Sequence, residues 1–346
     1  MRTEVAIIGD RFMLSEMFAA ALHEACGDRI VCRSLDLPWP DEPMEHGYTV
    51  PGMEGLKEYM GTPEQVLAHL GDAPILVTHL APVSRSVFEA APDLKLVAVS
   101  RGGPVNVAMD AAATHGVLVV NTPGRNASAV AEFTIGAILA ETRNITRGHD
   151  ALRKGDYRGD LYRADVTGDE LSEMTVGIIG YGAVGTRVVR LLRAFGTRIL
   201  VCDPYVQLSA DDADAGVEHV SLEAVLRQSD VVSLHPRVTE ETRGMIGARE
   251  LAEMKPGAVL VNTARGPLMD YDALYDSLET GHLGGAMLET FAIEPTPPDW
   301  PLLQLPNVTL TPHIAGASLK TVRIAAAKAA EEVRRWLDGE PPVSPC

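Results

Sequence analysis

Short apolar runs, many of them rich in β-branched residues, alternate with helix-like patterns along nearly the whole chain. Most of the runs are continuous rather than alternating, which is typical of parallel strands covered on both faces. Strand–helix alternation of this kind predicts an α/β fold with parallel sheets and helices on both sides. The predicted strands are 5–9, 75–78, 96–100, 117–120, 176–179, 199–202, 231–234, 258–261 and 308–310, and helical periodicity marks 15–25, 63–70, 183–195 and 270–280.

Two polar stretches interrupt this alternation. Residues 36–61 are rich in proline, glycine and acidic side chains, which predicts a long loop that is either functional or a surface insertion. Residues 154–170 are polar and rich in glycine and aspartate. Ahead of them, residues 129–152 are predicted to form one long helix that bridges two units, and residues 318–337 form an alanine-rich final helix.

Length and charge narrow the possible functions. A chain of 346 residues is long enough for two domains of roughly 100–200 residues each. Lys plus Arg number 30 against 47 for Asp plus Glu, so the formal net charge is −17. This charge repels phosphate backbones and anionic lipid head groups, so we predict no binding to nucleic acid or to membranes. A small anionic substrate still fits if a local cluster of Arg or Lys binds it.

The cysteines and the N-terminus predict a cytoplasmic protein. The four cysteines show neither a CxxC pair nor a disulfide spacing, which is typical of reduced thiols. The N-terminal segment MRTEVAIIGDRF fits a core strand better than a signal peptide. No apolar stretch of the sequence approaches the ~18 residues of a membrane span. The 10 histidines show no ligand spacing, so we expect no metal.

The segment TVGIIGYGAVGTRVVRLLRAFGTRILVCDPY contains the strongest local motif. Gly180 allows a tight turn, Gly182 lets the backbone approach a pyrophosphate, and Gly185 lets the next helix lie close to the sheet. The following helix presents unpaired N–H groups to the phosphates. Asp203 lies at the distance expected of the acid that binds a ribose hydroxyl, and its charge repels a 2′-phosphate. This predicts NAD rather than NADP; a glycine-rich turn in an unrelated α/β domain and a methyl-donor site are the alternatives.

Three later segments follow apolar runs and carry Arg265, Glu294 and His313. In an open parallel sheet the carboxyl ends of the strands face the ligand, so these side chains are expected to converge beside the cofactor. Arg265 can bind a carboxylate with its planar fork, and His313 can exchange a proton with a keto or hydroxyl oxygen. Glu294 would orient the imidazole and favour its protonated form. Singly, each residue has a structural explanation; together they predict hydride transfer at a 2-hydroxy or 2-keto acid.

The chain resembles the D-isomer-specific 2-hydroxyacid dehydrogenase family over residues 94–337. The resemblance rests on NTPGRNASAVAEFTIG, VGIIGYGAVG, VCDPY, SLHPRVTEETRGMIG, MKPGAVLVNTARG and LPNVTLTPHIAG. It implies the same roles for Arg265, Glu294 and His313, and it implies a substrate-binding loop at Ser100, Arg101, Gly102 and Gly103, whose backbone N–H groups meet the substrate carboxylate. The residues expected to contact NAD are Gly180, Tyr181, Gly182, Ala183, Val184, Gly185, Asp203, Pro204, His235, Thr263, Ala264, Arg265, Glu289 and His313.

The resemblance also implies the architecture. We expect two doubly wound parallel-sheet domains with a cleft between them: a flavodoxin-like substrate domain at 1–120 plus 315–346, and a Rossmann NAD-binding domain at 121–314. The family forms dimers largely through the cofactor domains, so a homodimer is expected. The expected function is NAD-dependent transfer of hydride to or from C2 of a small D-2-hydroxy or 2-keto acid, a class that includes phosphorylated and sugar-derived acids. The alternative is a dinucleotide-sensing, corepressor-like binding protein.

Two departures from the family pattern indicate a subgroup with its own substrate. Glu289 stands where the family commonly has Asp, in Leu288–Phe291. In the loop RGGPVNV, Arg101, Pro104 and Val105 replace the usual Gly, Val and Asp. Arg101 and Arg125 can add positive charge near a phosphorylated or polyhydroxylated acid, with ordinary solvated arginines as the alternative.

Overall fold

Two units make up the structure, a computed structural model that describes residues 2–39 and 50–346. Unit 1 consists of Met1–Asn126 and Ala317–Cys346, and unit 2 of Ala127–Gly316. The boundaries predicted from the sequence lie after residues 120 and 314. Residues 40–49, part of the loop expected at 36–61, lie outside the described residues.

The sheet of unit 1 has five parallel strands in the order β2-β1-β3-β4-β5. The inner strands β3 and β4 are buried at every position, which explains their unbroken apolar runs. Strand β2, at the edge, mixes buried and exposed positions and was therefore missed in the sequence. The strands are β1 (Thr3–Gly9), β2 (Ile30–Asp36), β3 (Ile75–Thr78), β4 (Leu96–Val99) and β5 (Leu118–Val120), with helices α1 (Ser15–Cys26), α2 (Pro63–Leu70), α3 (Arg85–Ala90) and α4 (Met109–Thr114).

The sheet of unit 2 has seven parallel strands in the order β12-β11-β10-β9-β6-β7-β8. Two of them were missed in the sequence, β8 because it has two residues and β11 because its sequence GAML lacks β-branched residues. The strands are β6 (Thr175–Ile179), β7 (Arg198–Cys202), β8 (Glu218–His219), β9 (Val231–Leu234), β10 (Val259–Asn262), β11 (Gly285–Leu288) and β12 (Val308–Leu310). The helices are α5 (Ala127–Thr142), α6 (Ile145–Arg153), α7 (Gly185–Arg193), α8 (Ala210–Asp214), α9 (Leu222–Gln228), α10 (Ala248–Glu253) and α11 (Tyr271–Glu279). The prediction of two parallel-sheet α/β domains is confirmed.

The prediction of one long helix over 129–152 is wrong. The helix is broken between α5 and α6 at Asn144, whose φ of 54° lies in the left-handed region that asparagine tolerates better than most residues. The Asn144 amide oxygen accepts a 2.9 Å hydrogen bond from Nη1 of Arg147. Arg147 Nη2 also donates to the carbonyl of Gly284 at 2.8 Å, which connects α6 to the residue just before β11. Both helices belong to unit 2.

The last helix, α12 (Leu319–Leu337), begins after Ser318, whose hydroxyl accepts the N–H of Thr321 at 3.0 Å. Its small buried residues, such as Ala325 and Ala329, pack in the same core as Phe18 of α1, which returns the C-terminal segment to unit 1. None of the helices in the described part of the chain combines the length and the apolar character needed to cross a membrane.

Candidate active site

The carboxyl ends of six strands of unit 2 lie in one row. Strand pairing joins Cys202 to Ile179, Ile179 to Leu234, and Leu234 onward through Asn262 and Leu288 to Leu310. The residue after each of these partners therefore emerges at the same edge of the sheet, where an open parallel sheet binds its ligand. These residues are Asp203, Gly180, His235, Thr263, Glu289 and Thr311.

The glycine loop after β6 has the shape that a dinucleotide requires. A Cβ on Gly180 would lie 2.8 Å from the backbone of His235, and a Cβ on Gly185 would lie 2.1 Å from the carbonyl oxygen of Gly180. These two glycines are therefore required by the packing of the protein itself. A Cβ on Gly182 would meet nothing within 4 Å. The space in front of Gly182, at the start of α7, fits the pyrophosphate of NAD.

Asp203 is fixed by backbone donors. Its Oδ2 accepts the N–H of Tyr181 at 2.8 Å, and its Oδ1 accepts the N–H groups of Tyr205 at 2.9 Å and Val206 at 3.0 Å. The carboxylate is thus tied to the glycine loop, as an acid that binds a ribose must be. The side chain of Tyr181 points elsewhere, since its hydroxyl donates to the buried Asp212. The backbone of Tyr181 therefore belongs to the loop that would contact NAD, whereas its ring does not.

The pair His313 and Glu294 is hydrogen bonded. Nδ1 of His313 lies 2.8 Å from Oε2 of Glu294, and Oε1 of the same carboxylate accepts the N–H of Phe291 at 2.8 Å. The backbone of His313 adopts a left-handed φ of 53°, and its N–H donates to the carbonyl of Glu289 at 2.9 Å. This strained backbone is held in place by neighbouring strand ends, an arrangement common at functional sites. The carboxylate and the backbone together fix the direction of the imidazole.

Arg265 follows β10 and is exposed. Its loop is shaped by Asn262, whose side-chain amide donates to the carbonyl of Arg265 at 2.9 Å and accepts the N–H of Ala264 at 3.0 Å. The next residue is Gly266, where a Cβ would lie 2.0 Å from the backbone of Phe291. The glycine therefore lets the Arg265 loop lie directly against the loop that leads to Glu294.

Glu289 is almost fully buried at the end of β11, and its Oε1 accepts the N–H of Ala315 at 2.7 Å. Burial raises the pKa of Glu289 to about 7; the charge of Glu294 raises it further, and the neighbouring His313, Arg265 and the N–H of Ala315 lower it. Arg265, Glu294 and His313 follow β10, β11 and β12, which are neighbours in the sheet.

Two other predicted cofactor residues occupy the same edge. His235 is buried, its Nε2 lies 3.0 Å from the hydroxyl of Ser233, and burial lowers its pKa to about 3, so it is neutral. Within the described residues its Nδ1 has no hydrogen-bond partner. Thr263 pairs with Thr134 of α5 at 2.8 Å between hydroxyl oxygens. Ala183 and Val184 lie in the glycine loop, and Pro204 follows Asp203 on the exposed side.

In unit 1, the loop expected to bind substrate follows β4. The N–H of Ser100 donates to Thr78 and that of Arg101 to Val99, both at 2.8 Å. Among the described residues, the N–H groups of Gly102 and Gly103 donate to no other group, so these two are the donors that the loop presents. The guanidinium of Arg101 is bound by Glu58, through an ion pair and a 2.9 Å hydrogen bond to its carbonyl oxygen.

Two polar residues at the carboxyl edge of the unit 1 sheet were not predicted from the sequence. Asp10 follows β1 and His79 follows β3, and both are buried. The side chains are joined by a 2.7 Å contact between His79 Nδ1 and Asp10 Oδ2. The available signal was a polar residue directly after an apolar strand, but each one stood alone in the sequence.

Comparison with known proteins agrees with this geometry. Residues 135–315 match the family described as D-isomer specific 2-hydroxyacid dehydrogenase, NAD binding domain. The chain is 39% identical over 278 residues to a glyoxylate reductase of Korarchaeum cryptofilum, covering 80% of this chain and 83% of that protein. It is 38% identical over 278 residues to a D-3-phosphoglycerate dehydrogenase of Mycobacterium bovis, covering 80% of this chain and 52% of that protein.

The fold has close counterparts among solved structures. A glyoxylate reductase from Paecilomyes thermophila superposes with a TM-score of 0.77 at 26% identity, covering 100% of this chain and 98% of that one. The D-2-hydroxyisocaproate dehydrogenase structure superposes with a TM-score of 0.81 at 24% identity and covers 99% of both chains.

Proposed function

Because the chain belongs to the D-isomer specific 2-hydroxyacid dehydrogenase family and contains its NAD-binding domain, we propose that it transfers hydride between NAD and C2 of a small D-2-hydroxy acid or 2-keto acid. The observation that carries the proposal is the 2.8 Å pair of His313 and Glu294 at the strand edge that also holds Arg265, Glu289 and the glycine loop. NAD, when bound, supplies or receives the hydride.

His313 is the acid and base of the proposed reaction. In reduction its Nε2 would donate a proton to the keto oxygen, and in oxidation it would take the proton from the hydroxyl. Glu294 accepts a hydrogen bond from Nδ1 of His313, so the ring would present Nε2 to the substrate in one fixed orientation. This is the arrangement that a general acid needs if it is to exchange one proton per turnover.

Arg265 binds the substrate carboxylate in this proposal. Arg265 is exposed and follows β10, which pairs with β11, the strand that ends just before Glu289. Its planar guanidinium presents a fork of N–H donors that matches the two oxygens of a carboxylate. We assign the backbone N–H groups of Gly102 and Gly103 a supporting part in substrate binding, because they have no acceptor among the described residues. Glu289, in place of the usual aspartate, would face the carboxamide of the nicotinamide.

Catalysis is favoured over the corepressor-like alternative. The relatives described above are named as enzymes, and a hydrogen-bonded pair of His313 and Glu294 suits proton transfer at a 2-keto acid. We further propose that the protein is cytoplasmic and that it forms a homodimer. Light scattering coupled to size-exclusion chromatography measures the molar mass in solution and so checks the dimer. A phosphorylated or sugar-derived acid remains within the proposed substrate class.

The test is a steady-state assay with NADH and NADPH against glyoxylate, pyruvate, hydroxypyruvate, oxaloacetate and a four-carbon 2-keto sugar acid. We expect turnover with at least one of these acids, with NADH preferred over NADPH because of the charge of Asp203. Tight NADH binding without turnover of any 2-keto acid would contradict the proposal and favour the corepressor-like alternative.

A further inference from the structure

The carboxyl edge of the unit 1 sheet carries a second set of polar residues. Asp10 follows β1, His79 follows β3, the loop that begins at Ser100 follows β4, and Arg125 lies five residues past the end of β5. These four strands are neighbours in the order β1-β3-β4-β5, so the residues that follow them meet at one edge. In an open parallel sheet that edge is where ligands bind.

A chain of hydrogen bonds joins three of these side chains. Oδ1 of Asp10 accepts the N–H groups of Phe12 and Met13 at 2.8 Å each, and Oδ2 lies 2.7 Å from Nδ1 of His79. Nε2 of His79 lies 3.3 Å from Nη2 of Arg125. Since a guanidinium only donates, Nε2 must accept and Nδ1 must carry the proton. His79 is therefore a neutral connector between a carboxylate and a cation.

The charges follow from the same contacts. Burial lowers the pKa of His79 and outweighs the opposite effect of Asp10. Burial alone would raise the pKa of Asp10, but the contact with His79 and the two backbone N–H groups lower it. Burial lowers the pKa of Arg125 to about 10, which leaves the guanidinium charged at neutral pH.

The guanidinium of Arg125 has more N–H donors than the neighbouring groups accept. Its Nε and Nη1 are shielded from solvent and have no hydrogen-bond partner among residues 2–39 and 50–346. The carboxylate of Asp10 does not contact the guanidinium of Arg125, because the imidazole of His79 lies between them. The centre of the Phe12 ring lies 6.0 Å from the guanidinium carbon. Unpaired donors on a buried cation are costly, so a ligand that supplies acceptors at Nε and Nη1 would gain that free energy on binding.

The expected substrate loop lies beside Arg125. The N–H of Thr122 donates to the carbonyl of Arg101 at 2.7 Å, and the side-chain amide of Asn121 donates to the carbonyl of Gly102 at 3.0 Å. Thr122 in turn accepts the N–H of Arg125 at 3.4 Å. Hydrogen bonds thus join the segment that ends at Arg125 to the loop that contains the unpaired N–H groups of Gly102 and Gly103. Both belong to unit 1, so this adjacency is internal to one unit.

We propose that Arg125 binds a second anionic group of the substrate, so that the protein prefers 2-keto acids that carry a carboxylate or phosphate in addition to the one at C1. This inference rests on the proposed function, which assigns the C1 carboxylate to Arg265. His79 and Asp10 are positioning residues: they fix Nη2 of the guanidinium and hence the direction of its other donors. An anion fits better than a hydroxyl because it accepts several charge-assisted hydrogen bonds at once.

Two pairs of substrates test the proposal: pyruvate with oxaloacetate, and hydroxypyruvate with its 3-phosphate ester. The second member of each pair carries an additional anionic group. The two pairs also distinguish a carboxylate from a phosphate. For the unchanged protein we expect kcat/KM to be higher, in at least one pair, for the member with the second anionic group, so that the ratio of its kcat/KM to that of its partner exceeds one. In Arg125→Met that ratio falls about 100-fold, as expected when hydrogen bonds to a buried charge are lost, and the loss appears mainly in KM.

A matched control and two further variants separate binding from folding. Arg85→Met removes an arginine of the same unit that pairs with Asp110 at the surface, and it should leave both ratios unchanged. Arg125→Lys keeps the charge without the planar fork and should recover part of the ratio. In His79→Asn the KM of the substrate with the second anionic group should rise more than the KM of its partner. A purely structural role of His79 would change the two KM values equally.

The outcomes distinguish this inference from the proposed function. Turnover with equal kcat/KM within each pair, or an equal loss for both members in Arg125→Met, contradicts the inference and leaves the proposed function intact. If no 2-keto acid is turned over, calorimetric titration of the NADH-bound protein with succinate and with propionate decides. Tighter binding of succinate that is lost in Arg125→Met supports the anion site, and equal or absent binding of the two acids contradicts it.

Discussion

Each unit contains a histidine whose Nδ1 contacts a carboxylate at the carboxyl edge of its sheet. The distances are nearly equal, 2.8 Å for His313 and Glu294 in unit 2 and 2.7 Å for His79 and Asp10 in unit 1. The surroundings differ, because the His313 side chain is 31% exposed and that of His79 only 6%. Arg125 also donates to the second nitrogen of His79. We therefore propose that the same local pair serves proton transfer in unit 2 and positions an arginine in unit 1.

A second contrast concerns two buried carboxyl groups. Glu289 and Asp10 are each at most 1% exposed, yet burial raises the pKa of Glu289 to about 7, whereas the contacts of Asp10 outweigh burial and lower its pKa. The difference lies in the donors: Asp10 accepts two backbone N–H groups and the imidazole, and Glu289 accepts one backbone N–H. Burial alone thus does not determine the charge of a carboxyl group at a strand end.

The largest effect that separates the two histidines is on turnover. His313→Asn should lower kcat roughly 10³-fold, within the range for loss of a general acid, while NADH binding measured by fluorescence persists. His79→Asn should lower kcat several-fold at most for an acid with one carboxylate, because His79 exchanges no proton. Equal losses of kcat in the two variants would remove the distinction between a catalytic and a positioning histidine.

Glu294→Gln sharpens the same comparison at the carboxylate. The amide keeps an acceptor for the N–H of Phe291 but turns an NH₂ group toward Nδ1, so the imidazole is driven toward the wrong tautomer. We expect kcat to fall on the order of 10²-fold or more, with little change in the Kd of NADH. Asp272→Asn, on the exposed first turn of α11, is the matched control and should leave kcat unchanged. A fall of less than threefold in Glu294→Gln would show that the carboxylate does not orient the ring.

Substitution of two glycines that have open space in front of them tests cofactor binding and substrate binding separately. A Cβ at Gly182 or at Gly102 would meet nothing within 4 Å, so valine at either position should leave the melting temperature nearly unchanged. Gly182→Val should raise the Kd of NADH about 100-fold because the side chain occupies the space of the pyrophosphate. Gly102→Val should instead raise the substrate KM. Loss of NADH affinity in Gly102→Val but not in Gly182→Val would reverse our assignment of the two loops.

The sequence predicted the unit 2 edge far better than the unit 1 edge, for a physical reason. Gly180, Gly182 and Gly185 lie within six residues, and their spacing has a local geometric meaning. Asp10 and His79 are 69 positions apart, and His79 and Arg125 are 46 positions apart. Only the order of strands in the folded sheet brings those three together. A lone polar residue after a strand carries no such information.

Local sequence also failed where a single residue or the tertiary environment decided the outcome. The chain from 129 to 152 is helix-forming throughout, yet the left-handed backbone of Asn144 ends one helix and starts another. Nothing near Glu289 in the sequence marks its raised pKa, which comes from burial at the end of a strand that was itself not predicted. The sequence predicts roles for Arg265, Glu294 and His313 from local motifs, whereas it marks Glu289 only as a cofactor contact.

The smallest expected effects are changes in stability, and they should have opposite signs in the two units. Folded Glu289 keeps its proton up to about pH 7, whereas the unfolded chain releases it near the ordinary value of 4.5. The folded state therefore binds more protons between these values, and stability falls as pH rises through that window, on the order of 3 kcal/mol in all. Glu289→Gln removes this loss, so its melting temperature should exceed that of the unchanged protein by several degrees at pH 8 and match it near pH 4.5.

Asp10→Asn provides the contrasting half of the measurement. The lowered pKa of Asp10 means that its stabilising charge is complete above the ordinary value of 3.8 and is lost only as pH falls through the folded value, below 3.8. Between pH 5 and 8 the variant should therefore melt several degrees below the unchanged protein, by an amount that does not vary with pH. Scanning calorimetry of the three proteins at pH 5, 6, 7 and 8 checks both slopes. A constant difference for Glu289→Gln, or a sloping one for Asp10→Asn, would show that the contacts of the two carboxyl groups do not set their charges as described.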